Sequence, residues 1–255
     1  MSSQVTQSKV KAFAVNNTML FFAVILFAAC MIGVPRFATG GNLMNILIQV
    51  SINALIACGM TFVILSDGID LSVGSVAAIA GVAGASLIKQ MPDAGIAACI
   101  AVILVTAVVV GTICGSINGF CIAKLNVPPF IATLAMMNAA RGLAYVFTDA
   151  KPVFGLPDSF GWVGLRSIGV IPVSIVLMVI VIGLSYLVLS KTCFGRYIYA
   201  VGSNKEVAKL TGINVTMTRF SVYVISGILA ALAGLVLASK LQNGQATAAT
   251  GYELN

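Results

Sequence analysis

The sequence contains no histidine. Without imidazole there is no serine–histidine triad, no histidine metal ligand and no histidine proton relay. Charge is scarce too: 8% of the 255 residues are Asp, Glu, Lys or Arg. A water-soluble domain carries roughly 25% charged residues, so most of this surface must face something other than water. The six cysteines, at 30, 58, 99, 114, 121 and 193, show no C-x-x-C spacing, and five lie inside apolar runs. They read as small apolar fillers, implying neither a disulfide framework nor a metal site. Catalysis by this chain alone is not expected, nor is a cofactor.

What is present is apolar. Sixty per cent of the residues are hydrophobic and the mean hydropathy is +1.08. The chain is therefore counted in membrane spans of about 20 residues each. The net charge of +7 comes in short clusters between apolar runs. That pattern fits basic loops held on the cytoplasmic side rather than a nucleic-acid surface.

Seven spans are expected, making the fold class all-α, a polytopic transmembrane helical bundle. They cover residues 18–34, 43–65, 71–88, 94–121, 130–147, 170–189 and 220–239. The first follows Lys9 and Lys11, stops at Pro35-Arg36, and is longer than a usual signal-peptide core, so it reads as an uncleaved helix. Residues 1–17 form the expected cytoplasmic tail, and 18–255 the transmembrane domain. A polar loop rich in Gly and Pro covers 149–169, with Phe160 and Trp162 as interfacial anchors. An inside N-terminus puts Lys9, Lys11, Lys124, Lys191, Arg196, Lys205, Lys209 and Arg219 in the cytoplasm. It leaves Arg36, Lys89, Lys151, Arg166 and Lys240 outside. The loop 190–219 holds five of the inside charges and decides the orientation.

Several motifs stand out. Gly111, Gly115 and Gly119 are four apart, a spacing that lets two helix backbones approach closely; a pore lining is the lesser reading. In Ser66-Asp67-Gly68-Ile69-Asp70-Leu71-Ser72-Val73-Gly74-Ser75, two carboxylates and two glycines interrupt an apolar stretch. Glycine lets the backbone leave the helix and Ser72 is placed to cap the next one. A simple membrane turn and a broken helix beside a polar pathway are both open on residue chemistry. Gln49 and Asn53 share one helix face and either line a path or bond between helices. Arg141 lies within a span and faces a polar interior or snorkels to an interface. Ser203-Asn204-Lys205-Glu206 fits a capping box, Gly212 offers a left-handed stop, and Val207 and Leu210 share a face between them.

Gly59-Met60-Thr61-Phe62-Val63-Ile64-Leu65, running into Gly68-Ile69-Asp70-Leu71-Ser72-Val73-Gly74-Ser75, resembles the permeases of ribose-type sugar ABC importers. Phe130-Ile131-Ala132-Thr133-Leu134, Arg141-Gly142 and Gly195-Arg196-Tyr197-Ile198-Tyr199-Ala200-Val201-Gly202 are similar to further landmarks of that family. So are Leu210-Thr211-Gly212-Ile213-Asn214-Val215 and Thr250-Gly251-Tyr252-Glu253-Leu254. The resemblance implies a permease subunit of the bacterial inner membrane that imports ribose or another monosaccharide and carries no catalytic residue. It implies three partners: a cytoplasmic ATP-binding subunit, a periplasmic sugar-binding protein and a second permease subunit. Asp67, Gly68, Asp70, Ser72, Gly74, Gln49, Asn53 and Arg141 are the expected pathway or broken-helix residues. Ser203, Glu206, Val207, Leu210 and Gly212 form the expected coupling helix that grips the ATPase. Family members continue past the tyrosine–glutamate–leucine landmark, so the domain is expected to be incomplete at its C-terminus. Rival readings are a permease for a nucleoside or sugar-like signal, an ion-coupled secondary transporter using Asp67 and Asp70, and an inactive truncated remnant.

Overall fold

The structure, a computed structural model, describes residues 18–254. The expected tail 1–17 lies outside them. The chain divides into two compact units, residues 1–47 and 48–255.

The first unit holds helix α1 (Thr18–Gly33) and the opening turns of α2 (Gly40–Leu65). Between them the chain turns through Arg36, whose positive φ of 66° reverses it after Pro35. Thr39 Oγ1 donates to the carbonyl of Arg36 at 2.8 Å, and Asn42 Nδ2 to that of Phe37 at 2.8 Å. The Phe37 ring meets Phe27 edge to face, centroids 5.3 Å apart. These contacts fix the corner.

The second unit continues α2 and adds α3 (Val73–Lys89), α4 (Ile96–Ala123), α5 (Pro129–Thr148), the short α6 (Trp162–Leu165), α7 (Val173–Lys191), α8 (Cys193–Ser203), α9 (Lys205–Leu210) and α10 (Val215–Leu241). Helices stand at all seven expected spans. Among the described residues, α2, α4, α5, α7 and α10 are long and apolar enough to cross a membrane, while α1 and α3 are shorter apolar helices. In a bilayer the helix is the natural solution, because every backbone group of the span finds a partner within it.

Helix α3 is the axis of this unit. From Val73 to Ile88 nearly every residue is buried, against α10, α5 and α4. Its Gly, Ala and Ser side chains are short enough to admit neighbours on all sides. The closest pair is α4 with α10. A Cβ on Gly111 would fall on Gly227 O and Ile228 Cα, one on Gly115 would sit 2.5 Å from Tyr223 O, and one on Gly119 2.9 Å from Phe220 O. Phe62, Val63, Ile122, Ile198, Val222 and Tyr223 form a buried cluster that joins α2, α4, α8 and α10.

The loop 149–169 carries more structure than expected. It contains a 3₁₀ turn at Asp158–Gly161, helix α6, and a small antiparallel hairpin of β1 (Ser167–Ile168) and β2 (Ile171–Pro172), with Ser167 opposite Pro172. Phe160 is fully buried rather than an interfacial anchor; Trp162 is half-buried. Ser239 Oγ explains the docking: it donates to Phe160 O at 2.5 Å and accepts from Gly164 N at 2.9 Å.

Candidate functional site

Helix α2 stops at Leu65 because the chain reverses there. Gly68 N returns to Val63 O at 3.1 Å, and Asp67 takes a positive φ of 60°. The two carboxylates of this break face different surroundings. Asp67 is exposed and pairs with Lys205 Nζ at 2.8 Å. Asp70 is 2% exposed and accepts three hydrogen bonds: from Ser72 N at 3.0 Å, Ser72 Oγ at 2.6 Å and Ser226 Oγ at 2.9 Å. Ser72 Oγ in turn accepts from Asn118 Nδ2 at 2.9 Å. A buried carboxylate is costly unless donors surround it, and here the donors come from the break itself and from α10. Asn118 extends the network to α4. The expected cap is corrected by the same geometry. Ser72 does precede α3, but its hydroxyl is turned to Asp70 and makes no side-chain cap.

A second irregular segment lies after α10, and it runs back along α3. Gln242 ends the helix in a left-handed conformation (φ 53°). Gly244 packs on Gly81, Val82 and Ala85, while Ala249 O and Glu253 lie against Gly74 at the start of α3. Gly74 matters for space: a Cβ there would come 2.5 Å from both Ala249 O and Glu253 Oε2. Arg141, on α5, holds the returning segment, donating from Nη1 to Ala246 O at 2.5 Å and Ala248 O at 2.7 Å. It thus binds backbone carbonyls that the irregular segment leaves without helical partners. Residues 252–254 close with a 3₁₀ turn, Tyr252–Leu254. Irregular backbone at membrane depth persists only where protein or a polar cavity covers it.

The turn covers one side of a cavity of about 230 Å³. The other wall is α2, which contributes Asn53, Ile56, Ala57, Met60, Thr61 and Ile64. Gln49, one turn before Asn53, donates from Nε2 to Tyr252 Oη at 2.6 Å and accepts from Lys240 Nζ at 3.5 Å. Asn53 Oδ1 and Glu253 Oε2 are both buried without a hydrogen-bond partner among the described residues. The cavity therefore pairs an apolar face of α2 with the polar side chains of Asn53, Thr61, Tyr252 and Glu253. Gln49 and Asn53 are brought together with it, Gly74 touches it from behind through Glu253, and Asp67, Gly68, Asp70 and Ser72 lie in the break on the approach to α3. Ser226, Asn118, Tyr252 and Glu253 are not among the site residues expected from the sequence. Glu253 carried a signal, as a carboxylate shortly after an apolar run; the two hydrogen-bonding partners of the break had none.

At one end of the bundle, α8 and α9 meet the break. Gly202 packs on the carbonyl of Leu65, and Lys205 reaches Asp67. The cap of α9 is Asn204, whose Oδ1 accepts from Glu206 N at 3.0 Å and Val207 N at 3.1 Å. Ser203 is not the cap: α8 runs through it, and its hydroxyl donates to Tyr199 O. The far end closes at Gly212 (φ 83°), with Gly212 N bonded to Lys209 O and Ile213 N to Ala208 O, a left-handed helix stop. Ala208 faces inward while Val207 and Leu210 are 54% and 87% exposed.

The profile of a family described as the permease component of branched-chain amino acid transport systems matches residues 42–255. The chain belongs to this permease family. It is a multi-pass permease component of the inner membrane and not an enzyme. The permease is 39% identical to the ribose import permease of Haemophilus influenzae over 260 residues, covering 100% of this chain and 78% of that one. It is 42% identical to the ribose import permease of Escherichia coli strain K12 over 250 residues, or 96% and 76%. It is 40% identical to the L-arabinose transport system permease of the same strain over 244 residues, or 92% and 70%. No solved structure matches the permease.

Proposed function

We propose that the permease forms part of the translocation path for a small sugar in an ATP-driven bacterial importer. The observation that carries this reading is its similarity, over nearly the whole chain, to permeases whose names specify ribose and L-arabinose. The cavity chemistry agrees. A sugar presents hydroxyl groups around a ring with apolar C–H faces, which suits the polar side chains of Asn53, Thr61, Tyr252 and Glu253 beside Ile56 and Met60. A branched-chain amino acid, the solute in the family description, also brings a carboxylate. Among the described residues no cation lines the cavity to receive it, and Glu253 would repel it.

In this reading the N-terminus is cytoplasmic, as the basic loop 190–219 argues. Helix α9 then projects Val207 and Leu210 toward a cytoplasmic ATP-binding subunit. A periplasmic sugar-binding protein delivers the solute, and a second permease subunit completes the path. The broken helix at Asp67–Gly74 and the returning segment are the irregular elements beside that path. The test is uptake of labelled ribose, arabinose and leucine by cells lacking related permeases and expressing this permease with its partner subunits. Sugar uptake that stops on ATP depletion but survives a protonophore supports the proposal. Leucine uptake without sugar uptake, or collapse with the protonophore alone, overturns it.

A further inference from the structure

At the end of the bundle where α4 finishes and α10 begins there is a second cavity, of about 430 Å³. Its walls carry four cationic side chains, Lys124, Lys205, Lys209 and Arg219, and one carboxylate, Glu206. Lys205 is engaged by Asp67. Lys124, lying 5.6 Å over the Phe120 ring, and Lys209 have no acid partner within ion-pair distance among the described residues.

Arg219 sets this cavity apart from an ordinary basic surface. Among the described residues it is 8% exposed, its Nε is buried without a hydrogen-bond partner, and its one bond is a long one, Nη1 to Ile122 O at 3.4 Å. A buried guanidinium left short of acceptors is costly. Val215 and Thr216, the first two residues of α10, line the same cavity. Amides of a first helical turn have no carbonyl of their own helix to bond, and the helix dipole adds positive potential there. Asn214 Oδ1 takes only the amide of Met217.

We propose that this cavity binds a phosphoryl group, supplied by the headgroup of an anionic phospholipid or by a free phosphate. The guanidinium fork and helix N-terminus match phosphoryl oxygens, with Lys124 and Lys209 as supporting point charges. The site is separate from the sugar cavity and does not depend on the transported solute.

The test uses the purified full chain in a neutral detergent and follows thermal unfolding. Phosphatidylglycerol, phosphatidylcholine and inorganic phosphate are titrated separately against sodium chloride of equal ionic strength. Stabilisation by phosphatidylglycerol alone identifies a lipid headgroup; stabilisation by inorganic phosphate as well identifies a site open to free phosphate. In either case, Arg219→Gln and the surface double variant Lys124→Gln/Lys209→Gln should each raise the half-saturating concentration at least about tenfold, the scale of one lost charge-assisted bond. The double variant alters only exposed side chains, so it reports even if Arg219→Gln does not fold. Equal stabilisation by phosphatidylcholine or chloride, or unchanged titrations in the double variant, would overturn the proposal.

Discussion

Asp70 accepts a 2.9 Å hydrogen bond from Ser226, 156 positions later in the chain, and so ties the break between α2 and α3 to the middle of α10. The other carboxylate oxygen takes both the amide and the hydroxyl of Ser72. A break that would otherwise be loose is thereby fixed at a buried point.

This arrangement predicts coupling. Asp70→Asn preserves shape but replaces an acceptor with an amide donor facing donors, and should lower stability by about 1–3 kcal/mol. Ser226→Ala removes one donor. Because the two residues bond each other, the double variant should depart from additivity by at least about 0.5 kcal/mol. Denaturation of the four proteins measures it; strict additivity would remove the bond from the account.

The close approach of α4 and α10 makes a second prediction. Gly115→Ala inserts a methyl against Tyr223 O and Val224 Cα and should cost about 1–3 kcal/mol. Gly183→Ala has nothing within 4 Å and should be near neutral or slightly stabilising. Thermal unfolding of the pair compares the same chemical change in contact and in open space.

Arg141 should govern the returning segment. Arg141→Met deprives the carbonyls of Ala246 and Ala248 of their donor. Hydrogen exchange across residues 244–254 should then quicken at least about tenfold, the equivalent of 1.4 kcal/mol, while α4 keeps its protection. Unchanged exchange at 244–254 would mean that α3 packing alone holds the segment.

Much of this was legible in the sequence, and the reasons differ by element. Seven apolar runs predict seven helices because a bilayer leaves the backbone little choice. Gln49 and Asn53 share one face of α2 because a separation of four residues fixes that on any helix, though of the two only Asn53 lines the cavity. The cap of α9 lies one residue beyond the expected one: Ser203 and Glu206 satisfy the box pattern, but α8 extends through Ser203 and leaves the capping position to Asn204. Phe160 looks like a loop residue until Ser239 supplies the anchor for its carbonyl. Ser226, which bonds Asp70, and the carbonyls held by Arg141 lie more than a hundred positions from their partners, Asn118, which bonds Ser72, is on another helix, and no local periodicity announces them.

The proposed orientation and coupling helix are tested together. A single cysteine at Glu206 should be shielded from an impermeant thiol reagent in intact cells, whereas one at Gly155 should react. Val207→Asp/Leu210→Asp should release the ATP-binding subunit without affecting membrane insertion, since both side chains are exposed and hold nothing else in place. Reversed labelling, or undiminished co-purification, would contradict the respective parts.

The most direct measurement is ATP-dependent uptake of labelled sugar by the reconstituted importer carrying Asn53→Leu or Glu253→Gln in the permease. Both changes remove an acceptor from the cavity wall at nearly constant size. The account predicts that each variant inserts and unfolds at close to the normal temperature, yet loses at least about tenfold in uptake, the scale of one unmatched hydrogen bond in a dry site. Normal uptake by both variants would place the sugar's path elsewhere and contradict the assignment of this cavity.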